Sequence, residues 1–134
     1  MMRKRFQLLV VAMFAATAVP VLAHHGLTAE YDITDIVELE GTVSSFNWIN
    51  PHAFLTIAVK DDRGATKLWR IEGGPIWYLM DAGWSTEMLQ EMIHSRQTIV
   101  VTGYRARKPP AGFAGGACAT DIELADGRVL KFHD

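Results

Sequence analysis

Apolar residues recur at every second position along successive stretches of this chain, and that alternation commits it to a structure built on β-strands. Val37, Leu39, Gly41 and Val43 share one face of a strand predicted from Ile36 to Trp48. At Ser44-Ser45 the pattern slips before it resumes at Phe46 and Trp48. A slip of this kind marks a β-bulge, which bends a strand and suits the curvature of a small barrel. Asn50-Pro51 turns the chain. Leu55, Ile57 and Val59 then alternate in a second strand, Ala53 to Lys60. The loop Asp61-Asp62-Arg63-Gly64 leads into a third, Thr66 to Glu72, with Leu68 and Arg70 opposite Trp69 and Ile71.

After Glu72 the period changes. Pro75 to Ala82 is predicted as a short helix ended by Gly83. Ser85 reads as an N-cap with Glu87 in the first turn behind it. Met88, Leu89, Met92 and Ile93 form an apolar stripe at helical spacing up to about Ser95. A fourth strand follows from Thr98 to Arg105, and residues 106–117, rich in Pro, Gly and Ala, read as a mobile loop. Cys118 to Leu124 is the fifth strand, Ala125-Asp126-Gly127 a tight turn, and Val129 to Phe132 a last short strand. There is no internal repeat. The expected fold is mainly β, a small OB-fold-like five-stranded barrel with one helical segment between strands three and four. The helix is expected to plug one end of the barrel with its stripe. The long loop after strand four falls where OB-folds often place a ligand-contacting loop.

The first residues have the form of a signal peptide. Arg3, Lys4 and Arg5 precede an apolar run from Leu8 to Val19, and Val21-Leu22-Ala23 supplies small residues for cleavage after Ala23. The run is shorter than the roughly 20 residues needed to span a bilayer, so no membrane anchor is expected after cleavage. The expected division is a leader over 1–23, a polar arm over 24–35 with Leu27 and Tyr31 as possible anchors, and the barrel over 36–134. Such a protein is periplasmic or secreted. Removing the leader takes away three basic residues and no acid, leaving ten basic against fifteen acidic side chains, net −5. That balance argues against nucleic acid, whose binding depends on neutralising phosphates. The single cysteine, Cys118, can form no internal disulfide, so the fold rests on its core. It is expected to be a small buried apolar residue rather than a nucleophile.

Several short motifs are familiar as a set. His24-His25-Gly26, Glu30-Tyr31-Asp32, Gly41-Thr42-Val43 and Trp48-Ile49-Asn50-Pro51-His52 come first, followed by Gly74-Pro75, Gly83-Trp84, Val101-Thr102-Gly103-Tyr104 and Leu124-Ala125-Asp126-Gly127-Arg128. Together they resemble an uncharacterised family of exported bacterial proteins, a domain of unknown function with a mature N-terminal double histidine and a Trp-x-Asn-Pro-His segment. The resemblance implies export and one compact domain, and carries no assigned activity. One turn departs from it: Arg96-Gln97 stands where Gly-Asp is expected.

The chemistry within reach of this sequence lies in its histidines. Cleavage after Ala23 leaves His24 with a free α-amine, so one residue offers a metal two nitrogens, amine and ring. A further imidazole, from His25 or His52, completes a three-nitrogen set that suits Cu(II) in the affinity order of divalent metals. Copper is the expected cofactor and His24, His25 and His52 the expected ligands. His52 follows a proline turn, which stiffens its backbone. Met88 and Met92 are expected in the core, and His94 and His133 near element ends in solvent. Glu30, Asp32 and Asp35 lie in the arm, where they can join a site.

The alternative is a metal-free envelope module that binds a protein or a saccharide through the barrel face and the 106–117 loop. Trp48, four residues before His52, and Arg105, Arg107 and Phe113 at the loop are its candidate contacts, with Lys108 adding to the basic cluster. No Gly-x-Ser-x-Gly, His-Glu-x-x-His or paired-cysteine motif is present, so no catalytic residue is assigned.

Overall fold

The computed structural model describes residues 26–134; the expected leader and both His24 and His25 lie outside the described residues. A single helical turn, α1 (Leu27–Glu30), leads into β1 (Tyr31–Asn47), β2 (Phe54–Lys60) and β3 (Thr66–Glu72). Two helices follow, α2 (Ile76–Asp81) and α3 (Thr86–His94), then β4 (Thr98–Ala106), β5 (Gly115–Glu123) and β6 (Val129–Lys131).

Strand β1 is the longest and pairs antiparallel with both β2 and β4. Its register against β2 shifts between Val43 and Ser45, at the slip in the apolar pattern. A second shift, against β4, falls between Asp32 and Ile36. The strand therefore begins at Tyr31, inside the segment expected to be a polar arm. Its first residues escaped the apolar pattern because Ile33 and Ile36 are exposed there.

The sheet runs β3-β2-β1-β4-β5-β6, and a parallel pairing of β3 with β5 closes it. Five strands thus form a closed barrel, and β6 extends β5. This is the expected OB-like barrel. The closure depends on glycine: a Cβ on Gly115 would sit 2.6 Å from the Trp69 ring, opposite it in the parallel ladder. The expected loop over 106–117 is accordingly shorter. Gly115, Gly116 and Ala117 belong to β5, and Ala114 donates its backbone N–H to the Leu68 carbonyl at 2.9 Å. Barrel closure thus recruits residues whose small side chains read as a loop.

The inward faces of the strands supply one core: Val43, Leu55, Ile57, Ile71, Ile99, Val101 and Ile122 are buried. Helix α3 packs on β1 and adds Leu89 and Met92, with Met88 and Ile93 partly buried beside them. Ser85 caps it, its side chain accepting from the Met88 N–H at 3.1 Å. Among the tryptophans only Trp84 is fully inside, its indole N–H donating to the Lys131 carbonyl at 2.8 Å; Trp77 lies open on α2. Among the described residues no helix is long and apolar enough to cross a membrane.

Candidate functional site

Two side chains from distant parts of the chain meet at one buried carboxylate. Glu72, the last residue of β3, is 8% exposed. A buried carboxylate needs partners for both oxygens. Oε2 accepts from the hydroxyl of Tyr31, and Oε1 bonds Nδ1 of His52. The result is a chain Tyr31–Glu72–His52.

Local structure explains how each member arrives. Backbone bonds between Ala53 and the Gly73-Gly74 pair, at 2.8 and 3.1 Å, carry the β2–β3 ladder past its ends. His52 and Glu72 stand beside that extension. The turn before His52 is fastened by Asn50, whose side-chain oxygen accepts from the Ile76 N–H at 3.1 Å at the start of α2. The Trp-x-Asn-Pro-His motif is therefore a structural clasp that delivers a histidine. Tyr31 opens β1, buried against Glu72.

Electrostatics set the roles. Desolvation, then the hydrogen bond and charge of Glu72, push the Tyr31 phenol well above its ordinary range, so it remains a proton donor. With one Glu72 oxygen held by that donor, the other accepts from His52 Nδ1–H. The opposite nitrogen, Nε2, has no hydrogen-bond partner among the described residues. A carboxylate behind an imidazole is the usual outer-shell support of a metal-ligating histidine, fixing both tautomer and orientation.

His52 opens onto a cleft of about 1090 Å³ whose walls include Gly26, Tyr31, Glu72, Arg70, Arg107 and His133. Gly26, the first described residue, directly follows the double histidine. Arg70 stacks on the Phe54 ring, 3.9 Å from its centroid, and is in no ion pair among the described residues. Lys108 also faces the cleft, whereas Arg107 is tied to the Thr28 carbonyl at 2.9 Å and lies 3.7 Å from Asp32.

The other expected site residues are dispersed. Trp48 packs partly buried on the core and does not line the cleft. Arg105 pairs with Asp35 at 2.8 Å and leans over Trp69, outside the cleft. Phe113 is half-buried, its backbone bonded to Pro110, and also stands apart. Of the arm's acids, Glu30 reaches the cleft. His94 is exposed as expected, but His133 is not: it is largely buried in the cleft, with its ring 5.7 Å from that of His52. Sequence reasoning missed Glu72 altogether. Its one signal was an acid closing an apolar strand, at Ile71-Glu72 before Gly73-Gly74.

Among the described residues, no group of three or more His, Cys, Asp or Glu side chains is set to hold a metal ion. No curated protein and no solved structure shows a significant match to the chain. A family model does match, over residues 12–114, a span that includes Tyr31, His52 and Glu72 but not His133. On that match, the chain belongs to DUF6152, a family of unknown function.

Proposed function

We propose that the protein is an exported metal-binding module that takes one Cu(II) in the cleft, with Nε2 of His52 as a ligand. The observation that carries this reading is the Tyr31–Glu72–His52 chain at the cleft wall, which holds the imidazole by Nδ1 and leaves Nε2 unengaged. Cleavage after Ala23 makes His24 the first residue, two positions ahead of Gly26 on the cleft wall. Two extended residues reach roughly 7 Å, which brings the His24 amine and ring, or the His25 ring, within range of the cleft. Nitrogen donors of this kind favour copper among the divalent metals.

The test is titration calorimetry of the protein recovered from a bacterial periplasm, after mass spectrometry of its N-terminus. The processed form is expected to bind one Cu(II). A form with one extra N-terminal residue and the His52→Ala variant are each expected to lose most of the affinity. Equal affinity in the processed and extended forms removes the amine from the ligand set. Binding no tighter than to an ordinary surface histidine ends the metal reading.

A second reading has its own observation. The chain is acidic, yet Arg70 and Lys108 face the cleft without an ion-pair partner among the described residues. An envelope module that binds an acidic saccharide or protein segment there needs no metal. Under that reading, replacing His24 and His25 leaves binding of an acidic oligosaccharide intact, while Arg70→Ala weakens it.

A further inference from the structure

We infer that His133 is a second metal ligand, so that the barrel itself contributes two imidazoles to one ion. This rests on the metal reading above and deepens it, adding a residue from the far end of the chain.

The first support is geometric. The His52 and His133 rings meet edge to face, with centroids 5.7 Å apart and planes at 88°. Two imidazoles that share an ion through bonds of about 2.0–2.1 Å hold their centroids roughly 4.5–6 Å apart. The second is the state of the nitrogens. Nδ1 of His52 is engaged by Glu72, and Nδ1 of His133 by Asp134, through its backbone oxygen at 2.8 Å and its carboxylate at 3.2 Å. In both rings the nitrogen left over is Nε2, and both residues line the same cleft. Each imidazole thus has an oxygen acceptor behind it, the arrangement that orients metal-binding histidines.

The third support is rigidity. A residue beyond the last strand of a sheet frays unless it is tied down. Here its neighbour Phe132 is fully buried, with its ring 5.2 Å from Trp84 and packed on Gly73. The Phe132 N–H donates to Thr120 at 3.0 Å, and its carbonyl accepts from Gly74 at 2.7 Å. The loop that carries Glu72 toward α2 is therefore bonded to the residue that carries His133. The side chain of His133 is 17% exposed, against 41% for His52.

The cleft wall also constrains the ion. Arg70, Arg107 and Lys108 face it, against Glu30 and Glu72, and Glu72 is already occupied. A hard cation such as Mg²⁺ or Ca²⁺, which binds through carboxylates and other oxygens, finds little here. An ion held by imidazole nitrogen does not depend on carboxylates.

The experiment uses the processed, secreted protein with Cu(II) as the probe, read by calorimetry and by the nitrogen couplings in the copper spin-resonance spectrum. Outer-shell partners of metal ligands are worth roughly 10–100-fold in affinity. His133→Ala removes a ligand and is expected to lose at least that much, with one fewer coupled imidazole. His133→Gln, with a similar volume and no imidazole, is expected to show the same loss and a melting temperature like the parent's. Unchanged affinity and couplings in both variants overturn the proposal while leaving the metal reading in place. Absence of copper binding by the unmodified protein overturns both.

Discussion

Glu72 is the residue on which the site turns, and the side chains around it show what its burial does. Cys118 lies opposite it in the parallel ladder and is 1% exposed. Burial, then the nearby charges of Glu72 and Asp134, push the Cys118 thiol up to about 12 from its ordinary 9.0. The nucleophile is the thiolate, so iodoacetamide at pH 8 is expected to leave Cys118 unmodified in the folded protein and to label it in urea. The same shift predicts alkaline behaviour. The contribution is complete below pH 9, where both states hold the proton, and is lost as pH rises toward 12, because the unfolded chain has then released a proton the folded chain keeps. Tyr31, raised for the same reason, acts in the same direction. Urea unfolding at pH 8, 10 and 11 is expected to show falling stability, with a shallower fall in Cys118→Ala. Equal slopes in the two proteins would show that the thiol is not the titrating group. The burial of Cys118 was legible in the sequence as a lone cysteine without a partner or a base. The carboxylate opposite it was not, because a β3–β5 pairing has no local signature.

At the scale of elements, the end of α3 shows how a side-chain-bearing residue is accommodated where a glycine is expected. The Gln97 N–H bonds the Met92 carbonyl at 3.1 Å and the Arg96 N–H bonds Ile93 at 3.3 Å. Helix ends of this form place a residue in the left-handed region, usually glycine. Arg96 occupies it, with φ 51°, at the turn where the resemblance expects Gly-Asp. The left-handed conformation costs a side-chain-bearing residue about 1–2 kcal/mol, while glycine sacrifices a comparable part through the freedom of the unfolded chain. Arg96→Gly is therefore expected to be neutral or slightly stabilising. Arg96→Val, branched at Cβ, is expected to cost about 1 kcal/mol or more. Chemical denaturation of the three proteins measures the difference, and an equally tolerated valine would mean that the turn relaxes. Helix α3 and its cap were readable from Ser85, Glu87 and the spacing of Leu89 and Met92. The start of β1 was not, since between the buried Tyr31 and Val37 the residues Ile33, Thr34 and Ile36 are exposed and leave no apolar alternation.

For the whole molecule, the closing contact is made at the C-terminus. Phe132 lies across Gly73 and Trp84 and joins β6, the Gly73-Gly74 loop and the connection between α2 and α3 into one body. Deleting a buried aromatic ring costs about 3–5 kcal/mol, a large part of the 5–15 kcal/mol typical of a domain. Phe132→Ala is expected to lose that much in urea unfolding; a loss below about 1 kcal/mol would mean the C-terminus is not clamped. The sequence by itself determined the succession of strands and helices along the chain, the bulge after Val43 and the histidine delivered by a proline turn. All of these are written in neighbouring residues, through side-chain period, capping and turn chemistry. Only the tertiary structure decided that Tyr31, His52, Glu72 and His133 stand around one cleft, and that Trp48, Arg105 and Phe113 stand outside it. Those positions depend on which strands close the barrel and on a phenylalanine near the chain's end. Pairings between residues tens of positions apart leave no periodic trace in the sequence, because their energy comes from closure and burial rather than from local conformation.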